Sequence, residues 1–260
     1  MCKVRGISKY VFVLMILIGL IYPAIAPYDV NNFNFKPMLS PSTAHLLGTD
    51  DMGHDIFTML LYGFRITIFI SLVSGFLSTV IGGILGITAA YYKGFVEKFI
   101  IRLTEIFIIV PEIVIILFFA AFSKPRVENT IFAIVLFSWS KVARIIRTRA
   151  TVALDRDKIK YTMLLKGSLK DIFCKLWIDI RPALITMFIL QCSKAAVYES
   201  TLSFFGIGDP LLKTWGRLIK SALSCENIFD SGAYLWYLMP PVVCLCIFVV
   251  SIAFITFKEE

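Results

Sequence analysis

What this sequence is short of is charge. Only 17% of its 260 residues are Asp, Glu, Lys or Arg, while 58% are hydrophobic. A soluble domain carries about a quarter charged residues. Mean hydropathy is +0.82. This shortage argues against a water-soluble globule, because the apolar residues gather into blocks matched to a hydrocarbon core that takes about 20 residues per helical crossing. Histidine is nearly absent, at two residues, and no Cys or His pair has zinc-ligand spacing. The six cysteines, Cys2, Cys174, Cys192, Cys225, Cys244 and Cys246, form no CxxC. Several lie in apolar runs, where cysteine packs as a small hydrophobe, so neither a disulfide nor a metal site is expected. There is no Gly-rich phosphate loop of the Walker type and no plausible triad or acid/base pair on a shared face. The chain is therefore expected to be neither an ATPase nor any other enzyme. No free basic domain with interleaved aromatics accompanies the net charge of +8, which argues against nucleic acid as a partner.

What is present is a series of six apolar blocks. The first runs from Tyr10 to about Tyr28 behind Lys3, Arg5 and Lys9. Its Ala24-Ile25-Ala26 invites a signal-peptide reading, but Pro27 would follow the cut, and an uncleaved first helix is expected. Ile66 to Tyr92 holds no charge, and its Gly75, Gly82, Gly83 and Gly86 with Ser71, Ser74 and Ser78 predict close helix packing. The third block, about Leu103 to Phe122, carries Glu105, Glu112 and Pro111. The fourth, Thr130 to Ser140, continues into Lys141, Arg144 and Arg147, which share one helical face. The fifth, about Pro182 to Phe205, holds Lys194 and Glu199, and the sixth, Ser231 to Phe257, bears Pro240-Pro241. Kinks are expected at Pro111 and at Pro240-Pro241.

Basic residues set the orientation. The N-terminus, the turn bearing Lys93, Lys98 and Arg102, and the stretch Lys141–Arg181 with eleven Lys/Arg against four Asp all fall on one side when the blocks alternate. Both termini are therefore expected to be cytoplasmic.

Two loops exceed what connection requires. In the outer segment 28–65, His45, His54, Asp50, Asp51 and Asp55 lie among glycines. Capping and turn formation are expected of them, since their spacing matches no metal-ligand pattern. The inner segment, from about Thr148 to Arg181, is basic and amphipathic. Such a helix lies on a membrane surface or docks into a partner's groove, and the charges alone leave both open.

Three stretches resemble a known family. His45-Leu46-Leu47-Gly48-Thr49-Asp50-Asp51-Met52-Gly53-His54-Asp55, followed by Leu61-Tyr62-Gly63-Phe64-Arg65, resembles the H-P-L-G-T-D-x-x-G-R-D…L-Y-G-A-R signature of permeases in the dipeptide, oligopeptide and nickel ABC importers. Arg102-Leu103-Thr104-Glu105 through Pro111 resembles that family's R-L-x-D…P helix. Glu199-Ser200-Thr201-Leu202-Ser203-Phe204-Phe205-Gly206-Ile207-Gly208, followed by Trp215-Gly216-Arg217, resembles its E-x-x-L-S-F-L-G-L-G…W-G-R stretch. The matches run in the family's order from about residue 45 to 220.

The family also carries a cytoplasmic E-Y-x-x-A-A-x-x-x-G motif with a proline thirteen residues beyond the glycine. With Tyr161 on the tyrosine, Lys160 stands for the acid, Leu164-Leu165 for the alanines and Leu169 for the glycine, and Pro182 falls on the proline. Gly167 lies two residues early. In the family this motif is the coupling helix, which sits in a groove of the ATPase. The resemblance therefore implies a coupling segment around 156–171 that includes Lys160, Tyr161, Leu164, Leu165, Gly167, Ser168, Leu169 and Lys170. The family's G-D-x-L-R-D ending is missing, and the chain stops at Lys258-Glu259-Glu260.

The resemblance implies an all-α integral membrane protein with six transmembrane helices. Its fold would be that of a type I ABC importer permease (MetI-like) with an N-terminal extra helix. Residues 1–65 would form that helix and an extracytoplasmic loop, and 66–257 the permease core with its coupling segment at 148–181. The implied partners are a second, homologous permease, two ABC ATPases, an extracytoplasmic substrate-binding protein and the lipid bilayer. ATP and Mg would sit on the ATPases, with no cofactor on this chain. Buried ionisable groups within spans mark a path or a structural ion pair, which makes Lys194, Glu199 and Ser203 the candidate translocation path. Small peptides, nickel or metal-chelates and opines remain open as substrates. The alternatives are an autonomous channel or secondary transporter, for which no internal repeat is seen, and a membrane enzyme or assembly factor, whose only outer cluster would be 45–55.

Overall fold

The computed structural model of the chain describes residues 2–165, 168–226 and 228–256; the side chains of residues 2–5, Met163 and Leu169 fall outside that description. The described chain is helical: α1 (Cys2–Ile25), α2 (Ile56–Tyr91), α3 (Phe95–Ile109), α4 (Glu112–Ala121), α5 (Val127–Leu154), α6 (Asp157–Leu164), α7 (Leu169–Phe204), α8 (Trp215–Ser224) and α9 (Met239–Thr256), with one 3₁₀ turn at Ala233–Leu235. Its only β-feature among the described residues is an isolated bridge between Thr49 and Asp55.

Among the described residues four stretches are long and apolar enough to cross a bilayer: Gly6–Ile25, Ile56–Tyr91, Val127–Leu154 and Ala233–Thr256. The pair α3 and α4, bent by 81° at its break, makes a fifth if it counts as one span. Helix α7 is 36 residues long, but its apolar half is interrupted by Gln191, Lys194 and Glu199. Such a helix needs protein rather than lipid around those groups.

Several expectations about helix form are corrected. Pro111 does not bend a continuous helix. Val110, at φ −83° and ψ 135°, ends α3, and Pro111 stands just before α4. A residue preceding proline is pushed out of the helical region, so the third block is two helices. Pro240-Pro241 produce no kink either, because they occupy the first turn of α9, where the missing N–H groups have no intrahelical partner to lose. The second block starts ten residues before its charge-free run, at Ile56. The reason is a cap: Asp55 Oδ2 accepts from Thr58 N at 2.8 Å and from Thr58 Oγ1 at 2.7 Å. Asp55→Ala should cost about 1 kcal/mol, typical of a lost N-cap, and denaturant unfolding of the purified chain in detergent would read it.

Contacts divide the chain into two units, each drawn from several stretches. The first comprises Met1–Val73, Ala120–Ile131 and Ser193–Glu260, and the second Ser74–Phe119 and Phe132–Cys192.

In the second unit the glycines of α2 allow backbone-level packing. A Cβ at Gly75 would lie 2.6 Å from Cys192 Sγ, one at Gly82 2.6 Å from Val142 Cβ, and one at Gly86 2.7 Å from the Ala143 carbonyl oxygen. Ion pairs also join elements there. Arg147 Nη2 lies 2.6 Å from Glu97 Oε1, and Lys141 Nζ lies 3.2 Å from Glu112 Oε1. Glu105 pairs with Arg102 at 3.0 Å on the surface.

In the first unit the centre is Trp215, fully buried, with Phe64 edge-on at 4.9 Å and Phe248 at 6.1 Å.

Candidate coupling and translocation sites

The elbow of the basic segment lies in the second unit and begins at α6. This eight-residue helix is too short to hold itself together, and one side chain anchors it. Ile159 is 0% exposed, in a core with Ala90 of α2, Ala150, Ala153 and Leu154 of α5, and Ile172, Leu176 and Ile180 of α7. Polar contacts fix the same helix. Asp179 accepts from Arg156 at 2.9 Å and from Lys158 at 3.0 Å. Lys175 Nζ donates to Thr162 Oγ1 at 2.6 Å.

The opposite side of the elbow faces solvent. Tyr161, Leu164 and Leu165 are 64%, 76% and 81% exposed. Lys160 lies 3.6 Å from Asp155, with both side chains exposed. Ser168 is the N-cap of α7 in a reciprocal arrangement with Asp171: Ser168 N donates to Asp171 Oδ2 at 3.1 Å, and Asp171 N donates to Ser168 Oγ at 3.3 Å. Lys170 is exposed. Gly167 and the side chain of Leu169 lie outside the described residues.

The second site lies in the first unit, around Glu199. This carboxylate is 1% exposed. Its Oε1 accepts from Ser203 Oγ at 2.7 Å, and the hydroxyls of Thr214, Thr67 and Ser200 surround it. Thr214 also caps α8, its side chain accepting from Arg217 N at 3.3 Å. Thr67 Oγ1 accepts from Trp215 N at 3.4 Å. Glu199 and Ser203 are thus brought together. Lys194 is half-buried, with its ammonium 5.6 Å from the centre of the Tyr198 ring, within cation–π range.

The contacts within segment 28–65 explain why its residues are spaced as they are. His54 Nδ1 pairs with Asp50 Oδ2, and His45 Nδ1 with Asp55 Oδ1, both at 2.9 Å. Asp50 Oδ1 also accepts from His54 N at 2.7 Å and Met52 N at 2.9 Å. Gly48 and Gly53 have φ of +72° and +84°, and a Cβ at either would collide with a backbone oxygen, of Leu39 and Phe35 respectively. Beside this segment Lys213 is half-buried, and that burial pushes its amine below the usual lysine range.

Two of the quoted signatures meet in one packing contact. Gly63 leaves room for the indole of Trp215, since a Cβ there would lie 2.6 Å from its Cδ1. Trp215 Nε1 donates to the Leu60 carbonyl at 3.4 Å, and Gly216 rests on the backbone of Ser200.

Residues 82–257 match the family of binding-protein-dependent transport system inner membrane components. The chain belongs to that family. It is 30% identical over 222 residues to the dipeptide transport system permease protein DppC of Haemophilus influenzae, covering 82% of this chain and 75% of that one. It is 30% identical over 262 residues to the oligopeptide transport system permease protein OppC of Lactococcus lactis, covering 97% and 87%. It is 28% identical over 228 residues to the glutathione transport system permease protein GsiD of Pectobacterium atrosepticum, covering 84% and 74%. The protein is thus a multi-pass membrane permease subunit of the ABC importer type, a transport component rather than a catalyst, and it works with other transporter subunits.

The permease's functional residues were only partly legible beforehand. Ile159 belongs to the apolar side of the amphipathic segment, but its burial depends on elements distant in sequence, and no spacing pairs Asp179 with Arg156 and Lys158. Thr67 matters through its position beside a residue over a hundred places away, and Thr214 through the turn that brings the start of α8 back onto the end of α7. For Glu199 we expect an uneven response. Glu199→Gln keeps an oxygen for Ser203 and should hold uptake within a few-fold. Glu199→Leu strands the Ser203 hydroxyl, at about 1–3 kcal/mol, and should lower the yield of folded permease in detergent.

Proposed function

We propose that this permease is one half of the translocation path of an ATP-driven importer for small peptides. Its six spans leave both termini in the cytoplasm, and α7 supplies the sixth crossing beyond the five that length and apolarity admit. A second, related permease completes the path. Two ATPases, holding ATP and Mg, dock on the inner face, and a binding protein delivers substrate outside.

One observation carries this reading: the exposed apolar tip of the inner elbow. Tyr161, Leu164 and Leu165 would cost the isolated chain nothing to replace with polar groups, yet the fold anchors the helix beneath them through Ile159 and Asp179. Apolar side chains presented on a braced element favour a protein partner over water. Closing of the ATPase dimer would move the elbow as a body and rock the spans between inward- and outward-open arrangements. In that cycle Glu199 acts as a positioning residue, holding α2, α7 and α8 together by its hydroxyl shell.

Peptide is the favoured substrate because the relatives named above belong to dipeptide, oligopeptide and glutathione systems. Uptake of labelled dipeptide and of a nickel–chelate by a deletion strain, with and without the chain restored, separates the candidates. Restored dipeptide uptake is the expected result. Restored nickel–chelate uptake alone would move the substrate to metal-chelates. Failure of both, together with failure to co-purify an ATPase, would remove the transport reading.

A further inference from the structure

Helix α7 carries a stripe that, Lys170 apart, lies beyond the coupling segment. Lys170, Phe173, Trp177, Arg181, Leu184 and Phe188 recur at three- and four-residue steps, so they share one face. The upper members border a groove of about 570 Å³ against α2, within the second unit. Its α2 wall is apolar even where the sequence is not. Thr79 and Thr88 each turn their hydroxyl back onto their own helix, to the carbonyls of Gly75 and Ile84 at 2.7 Å, and present methyl groups outward. Gly83 opens the floor, since a Cβ there would meet only Leu184 Cδ2, at 3.0 Å.

The mouth of the groove has a different chemistry. Phe173 and Trp177 stack at 6.1 Å, and Lys170 and Arg181 lie exposed on either side of them along the stripe. Neighbouring carboxylates are engaged elsewhere. Asp179 is held by Arg156 and Lys158, and Asp171 by Ser168. Among the described residues neither Lys170 nor Arg181 has an acidic partner within ion-pair distance. The occupant must therefore bring a negative charge to the mouth and an apolar chain above it.

Length decides its kind. From Phe76 to Thr88 the wall spans about 18 Å at 1.5 Å per residue, close to the roughly 15 Å of one leaflet's hydrocarbon. We propose that this groove is a binding site for an anionic phospholipid of the inner leaflet. One acyl chain lies between α2 and α7, and the phosphate rests between Lys170 and Arg181 beside Trp177. Tryptophan suits the headgroup boundary, and paired basic residues at the cytoplasmic end of membrane helices hold acidic headgroups. The inference rests on the orientation proposed above, because the mouth meets inner headgroups only if that end of α7 is cytoplasmic.

The test uses the purified full chain in mixed micelles, titrated with brominated phosphatidylglycerol or brominated phosphatidylcholine, with quenching of Trp177 fluorescence as the readout. The Trp177 signal is the difference between the natural chain and Trp177→Phe. Phosphatidylglycerol should quench at a lower mole fraction than phosphatidylcholine. Each cation is worth about five-fold, so Lys170→Gln with Arg181→Gln should raise the midpoint about 25-fold. Lys124→Gln, in the connection between α4 and α5, should leave it unchanged. Equal midpoints for the two lipids, or a double variant that titrates like the natural chain, would overturn the lipid site. So would a Cys at position 84 that cross-links to the second permease in the assembled transporter, because a protein helix would then fill the groove. Labelling of Cys174 by an impermeant maleimide in oriented vesicles, with Cys174→Ser as the blank, tests the orientation apart from the lipid. Reaction from the cytoplasmic side only is expected, and reaction from the outside only would overturn both.

Discussion

Leu164→Asp combined with Leu165→Asp should abolish uptake and detach the ATPase, while the permease still reaches the membrane folded. Both leucines project from the elbow into water, so the substitution removes no internal contact of the second unit. The cost arises only at docking. Two leucines transferred into a partner's groove are worth about 1.5–3 kcal/mol each, and two carboxylates would enter the same groove unpaired. A combined loss of about 3–6 kcal/mol from burial alone lowers association by two to four orders of magnitude. Tandem affinity purification reads the association, and a melting curve of the permease in detergent reads the fold. Ile159→Ala is the contrasting variant. It empties a fully buried site in the second unit and should lower the melting temperature, at about 2–5 kcal/mol for such a truncation. If the aspartate pair leaves co-purification and uptake intact, the elbow is not where the ATPase engages.

The membrane class could be read from the sequence because long uncharged runs admit few other solutions. α2 was anticipated as a close-packed helix for the same reason: its glycines and serines have little other use in lipid. Where the reading went astray, a local contact had overruled the hydrophobic pattern. Asp55 starts α2 well outside the apolar run, because a carboxylate facing two donors of Thr58 is a stronger start signal than hydropathy. Pro111 separates α3 from α4 instead of bending one helix, since Val110 sits in the extended region. Pro240 and Pro241 were read by identity when position within the helix decides their effect.

The sites were legible to different depths. Family spacing marks Tyr161, Leu164 and Leu165 as candidates for coupling, but which faces are braced and which are free depends on α2, α5 and α7 closing around Ile159. Glu199 was noticed as a costly buried charge. Its shell comes from Thr67 and Thr214, which sequence order keeps far apart. Lys194, noticed for the same reason, has its ammonium over Tyr198, one helical turn on. No rule of composition distinguishes those two outcomes.

Gly216→Ala should be among the most damaging single-methyl changes in the first unit. Gly216 sits at the start of α8, directly against Ser200 of α7. A Cβ there would lie 2.5 Å from Ser200 Cα and 2.7 Å from its carbonyl carbon, and would overlap its carbonyl oxygen. Backbone atoms of a helix cannot swing aside as a side chain can, so α8 must move. That motion pulls on Trp215, the next residue, which Phe64, Phe248 and the Leu60 carbonyl hold in place. It also shifts Thr214, the cap that faces Glu199. Overpacking alone costs about 1–3 kcal/mol, and disturbing a fully buried tryptophan adds a share of the about 3–5 kcal/mol that its removal would cost. A sharp loss of folded permease at 37 °C and near-complete loss of uptake are expected. Gly6→Ala is the control: nothing lies within 4 Å of a Cβ there, and alanine is the better helix former by about 1 kcal/mol, so stability should hold or rise. Equal tolerance of the two substitutions would mean that α8 is not pressed onto Ser200, and the cage around Glu199 would lose its keystone.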